Sequence, residues 1–133
     1  MLRRTIGTTL AAIGAVLAML TVTGAPASAD SFYTGGTANS IWNFTIGSTT
    51  YYQNHGGDDF AFDVTSGIAT DMRWQKCSDS SVIGSIMYNI TPSGGYRVLG
   101  TDFLAGTCLR IQFRGYTSTG AFNGYTYWNY NFA

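Results

Sequence analysis

Residues 107–115 alternate between apolar and polar side chains, and this alternation constrains the fold more than any other feature. The apolar positions are Leu109, Ile111 and Phe113. The intervening polar positions are Cys108, Arg110, Gln112 and Arg114. Because successive side chains of a β-strand point to opposite faces, the segment is predicted to be a strand with one buried face and one solvated face.

A second segment, residues 70–77, shows the same division. Met72 and Trp74 form its apolar side. Its polar side consists of Asp71, Arg73, Gln75 and Cys77. If both strands belong to one sheet, their arginines and glutamines share one solvated face and Trp74 lies in the core. The cysteines fall on these polar sides, which places a bridge between them at the outer surface or at a rim.

Short segments of this kind recur along the chain, separated by clusters of Gly, Ser, Asn, Asp or Pro. The predicted strands are 40–46, 59–65, 70–77, 84–90, 95–101, 107–115 and 121–131, with a shorter piece at 50–53. Such a series is typical of a sandwich or a barrel, and of these we expect a small, all-β, antiparallel β-sandwich. Composition agrees, because all the aromatic residues follow residue 29 and aromatic side chains favour strands.

The first 29 residues are predicted to be a signal peptide that is removed. Arg3 and Arg4 supply a positive start, and residues 6–22 form a mainly apolar stretch. Ala27-Ser28-Ala29 then gives the small-x-small pattern that signal peptidase recognises. Glycines and threonines interrupt the apolar stretch, which favours cleavage over a membrane anchor. We therefore expect a secreted protein with one domain at residues 30–133 and no membrane span after cleavage.

The predicted mature chain carries few charges. Its five Arg and Lys residues are outnumbered by seven Asp residues, and there is no Glu. No basic tract is present that would neutralise a run of phosphates, so nucleic acid is not an expected partner. A chain of this length supports one core. The signal and the composition are typical of a bacterial exported protein.

Cys77 and Cys108 are the only cysteines of the chain. In an oxidising compartment, a lone pair in a small secreted domain is expected to form a disulfide. Closing a loop of about 32 residues stabilises the fold by roughly 3.5–4 kcal/mol. Two cysteines and one histidine do not complete a tetrahedral zinc site, so neither a metal nor another cofactor is expected.

The last predicted strand, 121–131, is apolar on both faces. Alternation places Tyr125 and Tyr127 on one side. On the other side it places Trp128, Tyr130 and Phe132. Such a strand is either covered on both faces or presents aromatic rings to a partner. Trp128 and Tyr130 are the predicted stacking contacts, because their side of the strand has surplus apolar area.

Three segments carry a family resemblance. Residues 58–67 (DDFAFDVTSG) read as a strand and turn, and residues 86–94 (IMYNITPSG) as a strand that ends in a Pro-x-Gly turn. Residues 104–113 (LAGTCLRIQF), with Tyr125-Thr126-Tyr127 later, read as a closing pair of strands. Together they resemble the pre-peptidase C-terminal domains of secreted bacterial proteins. The resemblance implies a jelly-roll-like sandwich with an accessory or binding role.

His55 is the only histidine, and it lies in a glycine-rich loop beside Asp58 and Asp59. Imidazole can act as a base or a metal ligand, and Asp58, Asp59 and Asp63 are secondary candidates for binding calcium. Adjacent carboxylates on a strand point apart, however, and no Gly-x-Ser-x-Gly motif is present. We therefore interpret His55 as an exposed turn residue and expect no catalytic residue.

The expected function is non-catalytic binding to carbohydrate or to a cell-envelope surface. Trp128 and Tyr130 would stack on the ligand, and a separate polar patch is expected at Arg110, Gln112 and Arg114. A sugar binder requires aromatic rings on an open sheet face.

Two alternatives remain. A small toxin or protease inhibitor acting on a protein partner requires a rigid exposed loop, at 78–83 or 116–121. A minor hydrolase requires a concave pocket in which His55 meets an aspartate.

Overall fold

The computed structural model describes residues 29–45 and 49–132, and its regular structure is entirely β. The strands are β1 (Asp30–Ala38), β2 (Asn43–Phe44), β3 (Tyr51–Tyr52), β4 (Asp58–Gly67), β5 (Thr70–Lys76), β6 (Met87–Ile90), β7 (Arg97–Phe103), β8 (Cys108–Gly115) and β9 (Gly120–Tyr130). Apart from Ala29, the predicted signal peptide lies outside the described residues. Within the described residues, no helix is long and apolar enough to cross a membrane.

The strands form two antiparallel sheets. Sheet A has the order β1-β9-β4-β7, and sheet B has the order β2-β8-β5-β6, with β3 also paired to β8. Since β2 and β3 pair with successive parts of β8, they behave as one interrupted strand. Counted in this way, the strands pair from the two ends of the chain inward. β1 pairs with β9, the β2–β3 strand with β8, β4 with β7, and β5 with β6. This is the nested strand order of a jelly roll, so the predicted small antiparallel β-sandwich is confirmed.

The core lies between the two sheets, where alternate side chains of each strand meet. Sheet A supplies Phe60, Phe62, Val64, Leu99 and Phe122, and sheet B supplies Tyr51, Met72, Ile90, Leu109, Ile111 and Phe113. The rings of Phe113 and Phe122 meet across the core with centroids 4.6 Å apart. Trp74 packs against Phe103 at 5.1 Å, which confirms its predicted place on the core side.

The sequence pattern locates most strands but misses β1. Residues 30–38 contain the pair Gly35-Gly36, which weakens the alternation and lowers strand propensity. The segment is extended because all nine of its residues pair with β9 in continuous register, from Asp30 opposite Trp128 to Ala38 opposite Gly120. This pairing joins the two ends of the domain, so it cannot be read from the sequence of residues 30–38 alone.

A bulge near the end of β9 alters the faces that its aromatic residues occupy. Asp59 pairs with Tyr130 and Ala61 pairs with Tyr127, so β9 has one more residue than β4 between these pairs. Asn129 adopts a φ of 56° within this stretch. An extra residue of this kind interrupts strict alternation.

The consequence is visible in the ring contacts on either side of the bulge. Trp128 packs against the core and lies 4.9 Å from the Tyr51 ring. Tyr130 instead contacts Phe132 at 5.3 Å, on the outer side of sheet A. The prediction that Trp128, Tyr130 and Phe132 share one face is therefore wrong, because it assumed unbroken alternation through Asn129.

Candidate binding site on the outer face of sheet A

Aromatic side chains joined by ring contacts cover the outer face of sheet A. They are Tyr33, Tyr96, Tyr125, Tyr127, Tyr130 and Phe132. We call this group the aromatic face. It draws on β1, on β9 and on the segments that flank β7 and follow β9. Residues from both ends of the sequence meet here because β1 and β9 are neighbours in the sheet.

The rings form a continuous row across the sheet. Tyr33 meets Tyr125 edge-on, with centroids 5.0 Å apart and an interplanar angle of 63°. Tyr125 and Tyr127 are closer to parallel, at 27° and 6.2 Å. Phe132 then contacts both Tyr127, at 6.4 Å, and Tyr96, at 5.3 Å. The row is most open at its β1 end, where Tyr33 is 53% exposed and Tyr125 is 38% exposed.

Small residues of β4 lie beneath this row. Ala61 is on the outer face, between Val98 and Tyr127 in the register, yet it has no exposed surface. The surrounding aromatic side chains therefore cover it. Asp63 lies two residues further along β4, directly opposite Tyr125. The Asp63 carboxylate therefore lies beside Tyr125, which is one of the two most exposed rings of the face.

The Asp63 carboxylate is partly desolvated and has no hydrogen-bond donor among the described residues. Burial raises the pKa of Asp63 above its usual value. The pKa of Tyr127 is raised as well, first by burial and then by the nearby Asp63 and Tyr125. A half-buried acceptor without a protein donor is poised to accept hydrogen bonds from a ligand.

The other acidic residues near β4 have structural partners. Asp59 is almost completely buried and accepts hydrogen bonds from the backbone N–H groups of Asp102, at 3.1 Å, and Phe132, at 2.7 Å. These bonds hold the chain that follows β9 against β4. Among the residues described, no three His, Cys, Asp or Glu side chains lie close enough to hold a metal ion. The secondary calcium candidates Asp58, Asp59 and Asp63 are thus not brought together as a site.

His55 lies in the turn before β4, where its side chain is 74% exposed. Its backbone N–H donates to Asp58 Oδ2 at 3.1 Å, and its Nδ1 lies 3.3 Å from the same oxygen. The Asp58 carboxylate thereby fixes the turn. His55 lines neither the open cavity beside the disulfide nor the one at residues 115–119.

The outer face of sheet B carries a ladder of cross-strand pairs between β5 and β8. Its rungs are Asp71–Arg114, Arg73–Gln112, Gln75–Arg110 and, where Cys77 follows the end of β5, Cys77–Cys108. In the first three rungs an arginine donates to its partner, at 3.0, 2.8 and 2.9 Å respectively. The predicted shared polar face of these arginines and glutamines is therefore confirmed.

Aromatic rings beside β8 hold the guanidinium groups of this ladder. Trp42 contacts two of them, with Arg73 Cζ 4.2 Å and Arg114 Cζ 4.7 Å from its ring centroid. Arg110 lies 4.7 Å from the centroid of Phe44. Each arginine thus has a cross-strand partner and a ring partner, which is a well-braced arrangement.

The predicted ligand contacts therefore lie in three environments. Arg110, Gln112 and Arg114 lie together on sheet B, Tyr130 belongs to the aromatic face of sheet A, and Trp128 packs on the core side. Sequence reasoning missed Tyr33 and Tyr96, and it singled out Asp63 only as a secondary calcium candidate. The sequence does mark Asp63 weakly, because it is a charged residue between Phe62 and Val64 in a strongly apolar strand.

The disulfide forms the wall of an open cavity of about 590 Å³ at one end of sheet B. Exposed apolar side chains, Tyr52 and Leu104, lie at its rim. The adjoining loop 78–83 is tied back to β5, since Lys76 N–H donates to the Val82 carbonyl at 2.9 Å and the Gln75 side chain donates to the Ser80 carbonyl at 3.0 Å.

No protein-family model, curated sequence or solved structure matches this chain.

Proposed function

We propose that this protein is a non-catalytic module that binds carbohydrate through the aromatic face of sheet A. One observation carries the proposal: the exposed ring of Tyr125 contacts that of Tyr33 on one side and lies opposite Asp63 on the other, and the Asp63 carboxylate has no protein donor within the described residues. Residues that serve only packing are normally buried, and buried carboxylates normally have donors.

The chemistry of a sugar ring matches this arrangement. A pyranose presents apolar C–H groups on its faces and hydroxyl groups around its edge. Aromatic rings offer large, rigid surfaces for the apolar groups, and tyrosine hydroxyls remain available at their rims. A carboxylate accepts hydrogen bonds from hydroxyl groups more strongly than a neutral acceptor does. Asp63 would fix the orientation of a sugar that stacks on Tyr125.

The ligand class that we favour is a polysaccharide of the cell envelope or of the surroundings. The rings of the aromatic face form a row across several strands, which suits a polymer better than a single small sugar. The predicted signal peptide supports an encounter outside the cell, and the disulfide is compatible with it.

The proposal is tested by depletion of the purified protein onto insoluble polysaccharides and isolated cell walls. We expect retention on at least one of these materials. Tyr33→Ala and Tyr125→Ala should each weaken that retention by up to about tenfold, as expected for the loss of an aromatic contact of about 1.4 kcal/mol. Tyr88→Ala is the matched control, because Tyr88 is 57% exposed but belongs to β6 of sheet B.

Further variants separate the two sheet faces. Tyr130→Ala should weaken binding, since Tyr130 is part of the aromatic face. Arg110→Ala should leave binding unchanged, since Arg110 lies on the outer face of sheet B. Full recovery of the wild-type protein in the supernatant over the whole panel, or a stronger effect of Arg110→Ala than of Tyr125→Ala, would refute the proposal.

A second candidate function is binding of a protein partner through loop 78–83, as in a small toxin or protease inhibitor. The loop is exposed throughout, and Val82 and Ile83 present apolar side chains at its end. Internal hydrogen bonds and the neighbouring disulfide brace it, which lowers the entropic cost of binding. Inhibition of a panel of secreted proteases, abolished by Val82→Asp, would favour this candidate.

A further inference from the structure

We infer that two copies of this chain associate through their β1 strands, which pair edge to edge and join the two copies of sheet A. β1 pairs with β9 on one side only, and no other described strand lies on its second side. Every second backbone N–H and C=O group along its nine residues therefore faces outward from the sheet. Such an edge is a template for pairing with another strand.

The edges of the sandwich differ in how well they are protected. β2 and β3 have two residues each, and β6 has only four. β7 is longer, but two register shifts interrupt its pairing, and charged Arg97 and Asp102 lie along it. β1 has none of these features. It is long and in continuous register, and its only charged residue is Asp30 at its start.

The sequence of β1 is complementary to itself in antiparallel pairing. A two-fold axis at Thr34 places Phe32 opposite Gly36 of the second copy and Tyr33 opposite Gly35 of the second copy. Phe32 and Tyr33 are 48% and 53% exposed in the single chain. Each large exposed ring would thus lie beside a position without a side chain, a combination known to stabilise glycine in strands.

Packing within each copy maintains this complementarity. A Cβ atom on Gly35 would lie 2.3 Å from the Phe122 carbonyl oxygen, and one on Gly36 would lie 2.4 Å from Phe113 Cζ. Both positions must therefore remain glycine, so neither presents a side chain of its own along the edge. In the paired edge, Phe32 and Tyr33 of the second copy would supply the bulky side chains opposite them.

A two-fold axis perpendicular to the sheet keeps the outer faces of both copies on one side. Tyr33 lies one residue from the axis, so the two aromatic faces would meet there and form one longer surface. This last consequence rests on the proposed function, since a polysaccharide would gain avidity from it. The association itself does not depend on any ligand.

The pairing is tested by sedimentation equilibrium of the purified protein over a series of concentrations. Ser31 and Thr37 are exposed, lie on the outer face of β1 and face each other across the proposed axis. Ser31→Lys combined with Thr37→Lys sets like charges opposite each other twice, and Ser31→Lys combined with Thr37→Asp sets opposite charges there. We expect twice the mass of one chain for the wild type, a single-chain mass for the first variant and twice that mass again for the second.

A wild type that stays at the mass of one chain, or a doubly lysine-substituted variant that stays dimeric, overturns the inference. The lysine–aspartate variant controls for damage to the fold, because it changes the same two positions and should restore the dimer. Polysaccharide retention by a wild-type protein that is monomeric at every concentration would reject the pairing but leave the proposed function intact. Loss of retention in Tyr125→Ala with an unchanged dimer mass would separate the two in the other direction.

Discussion

Cys77 and Cys108 lie opposite each other one step beyond the Gln75–Arg110 pair, with Cα atoms 5.3 Å apart and their sulfur atoms bonded. The disulfide thus continues, in covalent form, the ladder of cross-strand hydrogen bonds on sheet B. The Cys77 N–H also donates to the Cys108 carbonyl at 2.9 Å, so the backbone pairing extends to the same point. The cross-link sets the register of the two central strands.

Removal of this cross-link should weaken the fold strongly. For a sequence separation of 31 residues, the loss of loop-closure entropy predicts a decrease in the free energy of unfolding of roughly 3.5–4 kcal/mol. The measurement is urea unfolding of the wild type and of Cys77→Ala combined with Cys108→Ala. A midpoint that changes little between the two proteins would contradict the prediction. Alkylation without reductant, followed by mass spectrometry, should detect no free thiol in the wild type.

Asp71→Ala should destabilise the protein by about 2–3 kcal/mol, less than for a fully buried ion pair because Arg114 is partly exposed. The Asp71 side chain is only 3% exposed, accepts from Arg114 Nε at 3.0 Å, and also accepts from the Asn89 N–H at 3.1 Å. Both donors would lose their partner. Asp79→Ala, at a fully exposed turn, is the control and should change the free energy of unfolding much less. Equal effects of the two substitutions would argue against a role for the first rung.

Asp63→Asn should make the protein more stable at neutral pH. Burial raises the pKa of Asp63, so the folded state holds this proton more tightly than the unfolded chain, in which the pKa of Asp is about 3.9. The stabilising contribution of the group is full below that value and is lost as the pH rises through the raised pKa. The gain from Asp63→Asn should therefore be present at pH 7 and shrink as the pH falls towards about 4.

Thermal unfolding followed by circular dichroism at a series of pH values measures this difference. The same variant should bind polysaccharide less well at pH 7, because an amide is a weaker acceptor than a carboxylate. Stability and binding should thus change in opposite directions. A variant that loses both, or a gain in stability that does not depend on pH, would contradict this account of Asp63.

Trp42→Ala should lower the free energy of unfolding by about 1–2 kcal/mol. Its ring contacts the guanidinium groups of both Arg73 and Arg114, and both contacts would be lost. Ile41→Ala is the matched control, because Ile41 is the preceding residue and is 62% exposed. Chemical denaturation of the two variants side by side gives the comparison, and a larger loss in Ile41→Ala would count against the stacking role of Trp42.

Alternation in the sequence was sufficient to predict the centre of sheet B. β5 and β8 are regular strands without bulges between them, so the side on which a residue falls could be read directly from its position. The shared face of Arg73 and Gln112, the core position of Trp74 and the place of the cysteines on the polar side all follow from this regularity. Each depends only on a two-residue period that nothing interrupts.

The aromatic face could not be predicted in the same way, for two physical reasons. Tyr33 belongs to β1, which is a strand only because β9 pairs with it from the other end of the chain. Tyr130 changes sides because of the bulge at Asn129, and an asparagine that tolerates a positive φ does not by itself require one. Both features are set by contacts between distant segments, which a local period does not record.

The nested order of the strands also bears on how the polypeptide reaches its native state. β1 finds its neighbour in β9, so almost the entire domain must be present before the first strand has anything to pair with. High contact order of this kind predicts folding in milliseconds to seconds. Ribosomes and export channels release a chain from its amino end, and a truncated product that stops before Gly120 would leave β1 without its neighbour. The first strand therefore takes its native place only after the last strand is available.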